Sequence, residues 1–124
     1  MTTQQLADQL VDYCRTGRND QAYRDLFSAD AVAHEPPGIP DNTTRGRAAL
    51  LAKSAAWADD VAEVLRMEVT DPVVYGDYFA LGMGGQLRKK DGTVTPFERE
   101  MCIYTCADGK IISERFVYKL PAGA

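Results

Sequence analysis

"LFSADAVAHEPPG", residues 26–38, decides how the first half of the chain is interpreted. It places His34, the one histidine, beside Glu35 and follows the acid with Pro36 and Pro37. A proline disfavours helical geometry in the preceding residue and fixes its own φ, so Pro36 predicts an extended Glu35 and Pro37 fixes the next step. Successive side chains of an extended segment point in opposite directions. We therefore expect His34 to face away from Glu35, at an exposed position or an interface.

Helical patterns lie on both sides of this stretch. Thr2 and Gln5 fit a capping box at the start of a first helix, which Gly17 ends. A short second helix follows, with Tyr23, Leu26 and Phe27 on one face. Residues 31–46 are then expected to form a loop that leads into a third helix at roughly residues 47–60. The first half of the chain is therefore predicted to be helical.

Strand patterns begin after the third helix. "EVLRMEVT" (63–70) alternates, and residues 72–83 are rich in β-branched and aromatic residues around a Gly-Asp turn. Two hairpins are predicted beyond them, around "KDG" (90–92) and "ADG" (107–109). Helices followed by antiparallel strands indicate one α+β domain over residues 1–124.

Composition and charge exclude several classes of function. The net charge of −4 and the dispersed Lys and Arg argue against nucleic-acid binding and anionic membranes. No apolar run approaches the ~20 residues that cross a bilayer, and no cationic segment followed by an apolar one opens the chain. Three cysteines without a Cys-x-x-Cys pair, together with one histidine, predict free thiols and no metal site. We expect a cytoplasmic protein.

The order of these motifs resembles the nuclear-transport-factor-2-like superfamily, in particular its SnoaL-like and ketosteroid-isomerase-like branches. The resemblance rests on the three helices, on "LFSADAVAHEPPG" and "TRGRAAL" (44–50), and on the last hairpin "YTCADGKIISERF" (104–116). It implies a cone-shaped, curved mixed or antiparallel sheet wrapped around three N-terminal helices. It also implies an apolar pocket for a small hydrophobic molecule, no cofactor, and a homodimer formed through the outer face of the sheet.

The catalytic residues of the two branches match this chain only in part. The aspartate base of the isomerases falls on Glu35, but their helix tyrosine matches Tyr13 with a spacing a couple of residues short. Their second acid falls on Cys102, a poor hydrogen-bond donor. The acid–base aspartate of SnoaL-like cyclases falls on Phe116. Neither catalytic set is intact.

The last hairpin predicts which side chains face the pocket. A three-residue turn closed by Gly109 would pair Tyr104 with Ile112. Seven side chains would then share one face of the hairpin, and by analogy with the family that face lines the pocket. They are Glu100, Cys102, Tyr104, Ile112, Glu114, Phe116 and Tyr118. A two-residue turn would instead place Glu114 opposite Ile103. Carboxylates on an apolar face need a partner or have a raised pKa, so the alternatives are a paired arginine or a position in water at the sheet margin.

Two functions remain open at this stage. The first is a cofactor-free isomerase or cyclase acting on a steroid- or polyketide-like carbonyl compound. In it Glu35 is the base, Glu114 or Glu100 the acid, and Tyr104 or Tyr13 the oxyanion donor. Ligand contacts are expected from Tyr13, Trp57, Cys102, Phe116 and Tyr118. The second is a non-catalytic, dimeric ligand-binding module with the same pocket, which stays open because neither catalytic set is intact. An alternative for Glu35 is a pair with Arg45 or Arg47, which would lower its pKa and make it a poor base.

Overall fold

The computed structural model of the protein describes residues 1–120, which contain three helices and seven strands. The bounds are α1 Thr3–Arg15, α2 Asn19–Leu26, β1 Phe27–His34, β2 Thr43–Arg45, α3 Arg47–Asp60, β3 Val61–Val69, β4 Val73–Tyr75, β5 Tyr78–Lys89, β6 Glu98–Ala107 and β7 Lys110–Val117. The predicted capping box opens α1. The Thr2 hydroxyl accepts from the Gln5 N–H at 3.1 Å, and the Gln5 side chain accepts from the Thr2 N–H at 2.9 Å.

The strands form one mixed sheet that does not close on itself. Their order is β2-β1-β7-β6-β5-β3, and β4 pairs with the first residues of β5. β1 runs parallel to β7, whereas the other pairings are antiparallel. Register shifts in β3, between Val61 and Glu63 and between Val64 and Arg66, bend the sheet at that edge. The predicted α+β cone is confirmed.

The core fills one end of the cone. α1 and α2 bury their apolar faces there against Phe27, Phe79 and Tyr104. α3 buries only Leu50, and most of β3 is exposed. The interior therefore stays open to solvent between α3 and β3.

A ring on the outer face accounts for one glycine of β5. Phe97 lies between the guanidinium groups of Arg66 and Arg99, 4.0 and 4.5 Å from its centroid. The ring covers Gly84, where an added Cβ would lie 2.6 Å from the Phe97 Cζ. Gly84 is thus a point of close approach.

The loop predicted from residue 31 onwards is wrong at residues 31–34, and Phe27, predicted on the second helix, also lies in a strand. Residues 27–34 form β1, which buries Phe27, Ala31 and Ala33 on the core side. Its parallel neighbour β7 is distant in sequence, its other neighbour β2 has only three residues, and its buried positions include two alanines, which carry little apolar signal.

The predicted register of the last hairpin is also wrong. The turn has two residues, Asp108 and Gly109, with φ of 52° and 76°. The register shifts between Thr105 and Cys106, so Tyr104 pairs with Glu114 and not, as predicted, with Ile112. Ile111, and not Ile112, is therefore buried, while Glu100, Cys102, Tyr104, Glu114 and Phe116 keep the predicted common face.

Within residues 1–120, no helix has the length and apolar character that crossing a bilayer requires.

Candidate active site

Glu114 is the buried acid of the interior. It lies on the inner face of β7, is 3% exposed, and accepts a hydrogen bond from the Tyr23 hydroxyl at 2.6 Å. Burial raises the pKa of Glu114 to about 7, and the charges of Glu35 and Glu100 add to this rise. The Tyr23 hydrogen bond and the Lys53 charge act in the opposite direction. Glu114 therefore changes charge near neutral pH.

Tyr23 was not predicted as a site residue. Its ring packs on Phe27 with centroids 4.6 Å apart, which aims the hydroxyl from α2 into the interior. Burial, and then the charge of Glu114, raise the pKa of the Tyr23 phenol, so the phenol remains a donor. Its place on the apolar face of α2 was visible in the sequence, but its acidic partner 91 positions away was not.

Glu100 is a second acid of the same interior. It lies on β6 opposite Met83 of β5, and its Oε1 lies 3.8 Å from the Cys102 Sγ. Burial, and then the charge of Glu35, raise the pKa of Glu100. Neither Glu100 nor Glu114 pairs with an arginine within the described residues, so that alternative does not hold.

Glu35 lies at the rim, just after β1. Its backbone N–H donates to the Asn42 carbonyl at 2.7 Å, which joins the two sides of the proline-containing loop. The Lys53 ammonium donates to Oε1 at 3.2 Å and the Tyr118 hydroxyl to Oε2 at 2.8 Å. The partners of Glu35 are therefore a lysine and a tyrosine rather than Arg45 or Arg47.

Lys53 was also missed by the sequence analysis. It lies three residues after the buried Leu50 on α3, a spacing that turns both side chains towards the sheet. Trp57 lies seven residues after Leu50, on the same stripe, and is 50% exposed.

His34 faces the other way, as its alternation with Glu35 predicts. It lies opposite Arg115 of β7 and Thr43 of β2. Burial, and then the charges of Arg115 and Arg45, lower the pKa of His34. His34 therefore belongs to a cationic region of the outer face.

Three predicted residues are not on the accessible surface of the interior. Tyr104 is 2% exposed and stacks on Phe79 at 4.6 Å, and Cys102 is 0% exposed. Both are core residues next to the acids. Tyr13 donates to Asp25 at 2.6 Å at the exposed surface between α1 and α2, so the tyrosine that reaches an acid is Tyr23 instead.

Phe116 lies on the interior face, and Tyr118 lies at the rim beside Glu35. Phe116 lies on the inner face opposite Cys102 and packs against the core. Burial, and then the Glu35 hydrogen bond, raise the pKa of Tyr118 to about 12. Tyr118 thus remains a donor that holds Glu35.

The acids were also compared with possible metal sites and with two depressions of the described surface. Among residues 1–120, no group of three or more His, Cys, Asp or Glu side chains is arranged to hold a metal ion. Two surface depressions of about 330 and 280 Å³ lie against α1 and include none of the interior glutamates. The acids therefore lie apart from both depressions.

Comparisons with known proteins agree with this architecture. A family model described as a SnoaL-like domain matches residues 1–118. A structure from Mesorhizobium loti, provisionally assigned as a SnoaL-like polyketide cyclase [carbohydrate phosphatase], is 31% identical, with a TM-score of 0.85 over 95% of this chain and 100% of that chain. No curated protein matches the sequence.

Two more distant structures share the fold. A Xanthomonas campestris protein of unknown function with a cystatin-like fold is 19% identical, with a TM-score of 0.78 over 97% of this chain and 92% of that one. A Catenulispora acidiphila protein with a ketosteroid-isomerase-like fold, solved with trimethylamine, is 20% identical, with a TM-score of 0.71 over 93% and 85% of the two chains. With a family model over residues 1–118 and a 31% identical relative across nearly its whole length, the chain belongs to the SnoaL-like domain family.

Proposed function

We propose that the open interior is a cofactor-free acid–base site for a small, largely apolar carbonyl compound of steroid- or polyketide-like character. One observation carries the proposal: the Glu114 carboxyl is 3% exposed, is held by Tyr23 at 2.6 Å, and has its pKa raised by burial to about 7. A carboxyl group with a pKa near the working pH both donates and accepts protons effectively. The family includes polyketide cyclases and isomerases, which agrees with this chemistry.

In the proposed reaction Glu35 removes a proton from the carbon next to the carbonyl. Glu114 donates its proton to the carbonyl oxygen, so that an enol forms and Glu114 becomes the carboxylate. For a carbonyl compound with a double bond between its β and γ carbons, the enol is a conjugated dienol. Glu35 then returns its proton to the γ carbon, while the enol O–H returns its proton to Glu114. The product is the α,β-unsaturated isomer, with Glu35 again a carboxylate and Glu114 again a protonated acid. Tyr23 positions Glu114, whereas Lys53 and Tyr118 position Glu35.

The other interior residues have supporting parts in this proposal. Glu100 adds negative charge beside Glu114 and is a second candidate acid. Trp57 and Phe116 offer apolar surface to the body of the substrate. Tyr104 packs behind Glu114 and maintains its burial rather than touching the substrate.

Proton exchange on a panel of cyclic ketones tests the proposal. We expect the protein to accelerate the loss of deuterium from the carbon next to the carbonyl, followed by NMR. We expect Glu35→Gln and Glu114→Gln each to reduce the rate by about 100-fold or more. Glu63→Gln is the matched control, because Glu63 is an exposed carboxylate whose partner is Arg88. Unchanged rates in both interior variants would contradict the proposal.

A non-catalytic ligand-binding module is the second candidate. The observation that favours it is the double engagement of Glu35, whose two oxygens already accept from Lys53 and Tyr118. A compound that raises the Tm of the protein and is recovered unchanged from the panel would support this function over catalysis.

We also propose that two copies pair through the outer face of the sheet. Met101, Ile103 and Val117 lie there on neighbouring strands and are 46%, 40% and 49% exposed. Exposed apolar surface of this kind is typical of an interface. Light scattering is expected to give twice the chain mass, and Ile103→Asp is expected to give the monomer. A monomeric native protein would contradict the pairing.

A further inference from the structure

Gly85 lies on the inner face of β5 in ordinary strand backbone. Its φ is not positive, so this position does not use the conformational freedom of glycine. It pairs in regular register with Met67 of β3 and with Glu98 of β6. The nearest register shift lies beyond it, between Val64 and Arg66. The backbone at this position is therefore open to any residue that suits a strand.

Packing within the described residues does not require a glycine there either. Apart from the chain neighbours, a Cβ added to Gly85 would find only the Arg66 carbonyl oxygen, at 4.0 Å. At Gly84 the added Cβ would instead lie 2.6 Å from the Phe97 ring. A glycine weakens a strand, because it loses more backbone entropy on folding and has no side chain to pack. Close approach of a ligand is then the reason that remains for Gly85.

The missing side chain leaves a shallow depression in the inner face, the Gly85 notch, which is bounded by Met67, Met83 and Leu87. Met83 and Leu87 are the neighbours of Gly85 on the same face of β5, and Met67 is its neighbour on β3. Met67 is 42% exposed and the other two are half-buried, so apolar surface remains accessible on three sides. A flat apolar ring can therefore lie directly on the strand backbone in the notch.

The Gly85 notch is remote from the buried acid of β7. The strand partner of Gly85 is Glu98 on β6. The strand partner of Glu114 is Tyr104, six residues and about 20 Å further along β6. Glu100 lies between these two positions, and the curvature of the sheet shortens the path across the interior. A single ring held by Glu114 is too short to touch the notch, whereas a body of several fused rings extends towards it.

We propose that Gly85 is a specificity-determining residue: the far end of a fused-ring substrate, whose carbonyl group lies at Glu35 and Glu114, packs flat on the β5 backbone in the Gly85 notch. This inference rests on the proposed function and narrows its substrate to long, rigid, polycyclic carbonyl compounds. The notch contributes to binding of the ring system and takes no part in proton transfer.

Gly85→Ala separates a ligand role from a structural one. Because nothing crowds the added Cβ, we expect the Tm without ligand to be unchanged or raised by up to about 5 °C. A lower Tm would show that the strand itself needs the glycine and would overturn the inference.

A four-ring ketone measures the role of the notch. Equilibrium dialysis of labelled 5α-androstan-3-one, which has four fused rings and a carbonyl group at one end, gives its affinity. We expect Gly85→Leu, whose side chain fills the notch, to weaken binding at least about tenfold, and the smaller Gly85→Ala to weaken it about threefold. Gln86→Leu is the matched control and is expected to preserve binding, because it adds the same side chain one residue further along β5, on the outer face. The carboxyl NMR signal of Glu114 is expected to keep its midpoint at about 7 in all three variants, since the notch is remote from this acid.

Each result supports or overturns the inference. Unchanged affinity in both Gly85 variants, an equal loss in Gln86→Leu, a shifted Glu114 midpoint, or no binding of the ketone to the wild type at its solubility limit would overturn it. Loss of deuterium from cyclohexanone that depends on Glu114, together with one of these results, would leave the proposed function in place. Ketone binding that depends on Gly85 without exchange would support the inference and count against catalysis.

Discussion

Replacing Glu114 by Gln is expected to make the protein more stable at high pH and to change little at low pH. Gln has the shape of the protonated acid and still accepts from Tyr23 through its amide oxygen. Burial raises the pKa of Glu114 from 4.5 to about 7 in the folded protein. Folding therefore favours the neutral form of Glu114. The difference between its pKa in the folded and the unfolded chain corresponds to a free energy of about 3 kcal/mol.

The raised pKa of Glu114 determines how the stability of the wild type changes with pH. Below pH 4.5 the carboxyl is protonated in both the folded and the unfolded chain, and the full stabilisation is present. As the pH rises towards 7, the unfolded chain ionises first, and stability is lost relative to the Gln variant. Above 7 the loss levels off, so the variant gains up to about 3 kcal/mol over the wild type.

Urea unfolding of both proteins at about pH 4, 6 and 8 measures this difference. Titrations that the two proteins share cancel in the comparison, and Glu63→Gln corrects for removing one surface charge. A difference that stays constant with pH, or a variant that is less stable at high pH, would refute a neutral Glu114 inside the fold.

Three further outcomes follow from the same contacts. Tyr23→Phe removes a hydrogen bond that lowers the pKa of Glu114, so the pKa is expected to rise by about one unit, measured by carboxyl NMR; a lower pKa would contradict this role. Gly84→Ala puts a Cβ 2.6 Å from the Phe97 ring and is expected to cost about 1–3 kcal/mol in urea unfolding. Replacing Phe97 by Ala as well should recover part of that loss, and an equal loss in the double variant would exclude the clash. All three cysteines are buried, and burial raises the pKa of each, so we expect a thiol reagent to modify them only after unfolding.

Local signals predicted the elements that depend on local interactions. The capping box of Thr2 and Gln5 and the Gly76–Asp77 turn between β4 and β5 appear where the sequence placed them. β1 was missed because its parallel partner β7 is distant in sequence, its other partner β2 has only three residues, and two of its buried positions, Ala31 and Ala33, are small. The family pattern supplied the cone that these local signals do not specify.

The site was predicted only in part for a related reason. The proline after Glu35 indicated an acid held at the end of an extended segment, and the alternation with His34 gave the correct opposite faces. The common face of Glu100 and Glu114 was also correct, although an irregularity in the hairpin, rather than the predicted turn, produces it. The contacts of Tyr23 and Lys53 with the acids arise from the packing of α2 and α3 on the sheet, which no spacing in the sequence encodes.

A direct titration of the Glu114 carboxyl tests the central claim that an acid able to exchange protons near neutral pH lies in the interior. The side-chain carbon signal of Glu114, assigned by its absence from Glu114→Gln, would be followed by NMR across the pH range. The structure predicts a midpoint at about 7. A midpoint at the ordinary value of 4.5 would contradict the account.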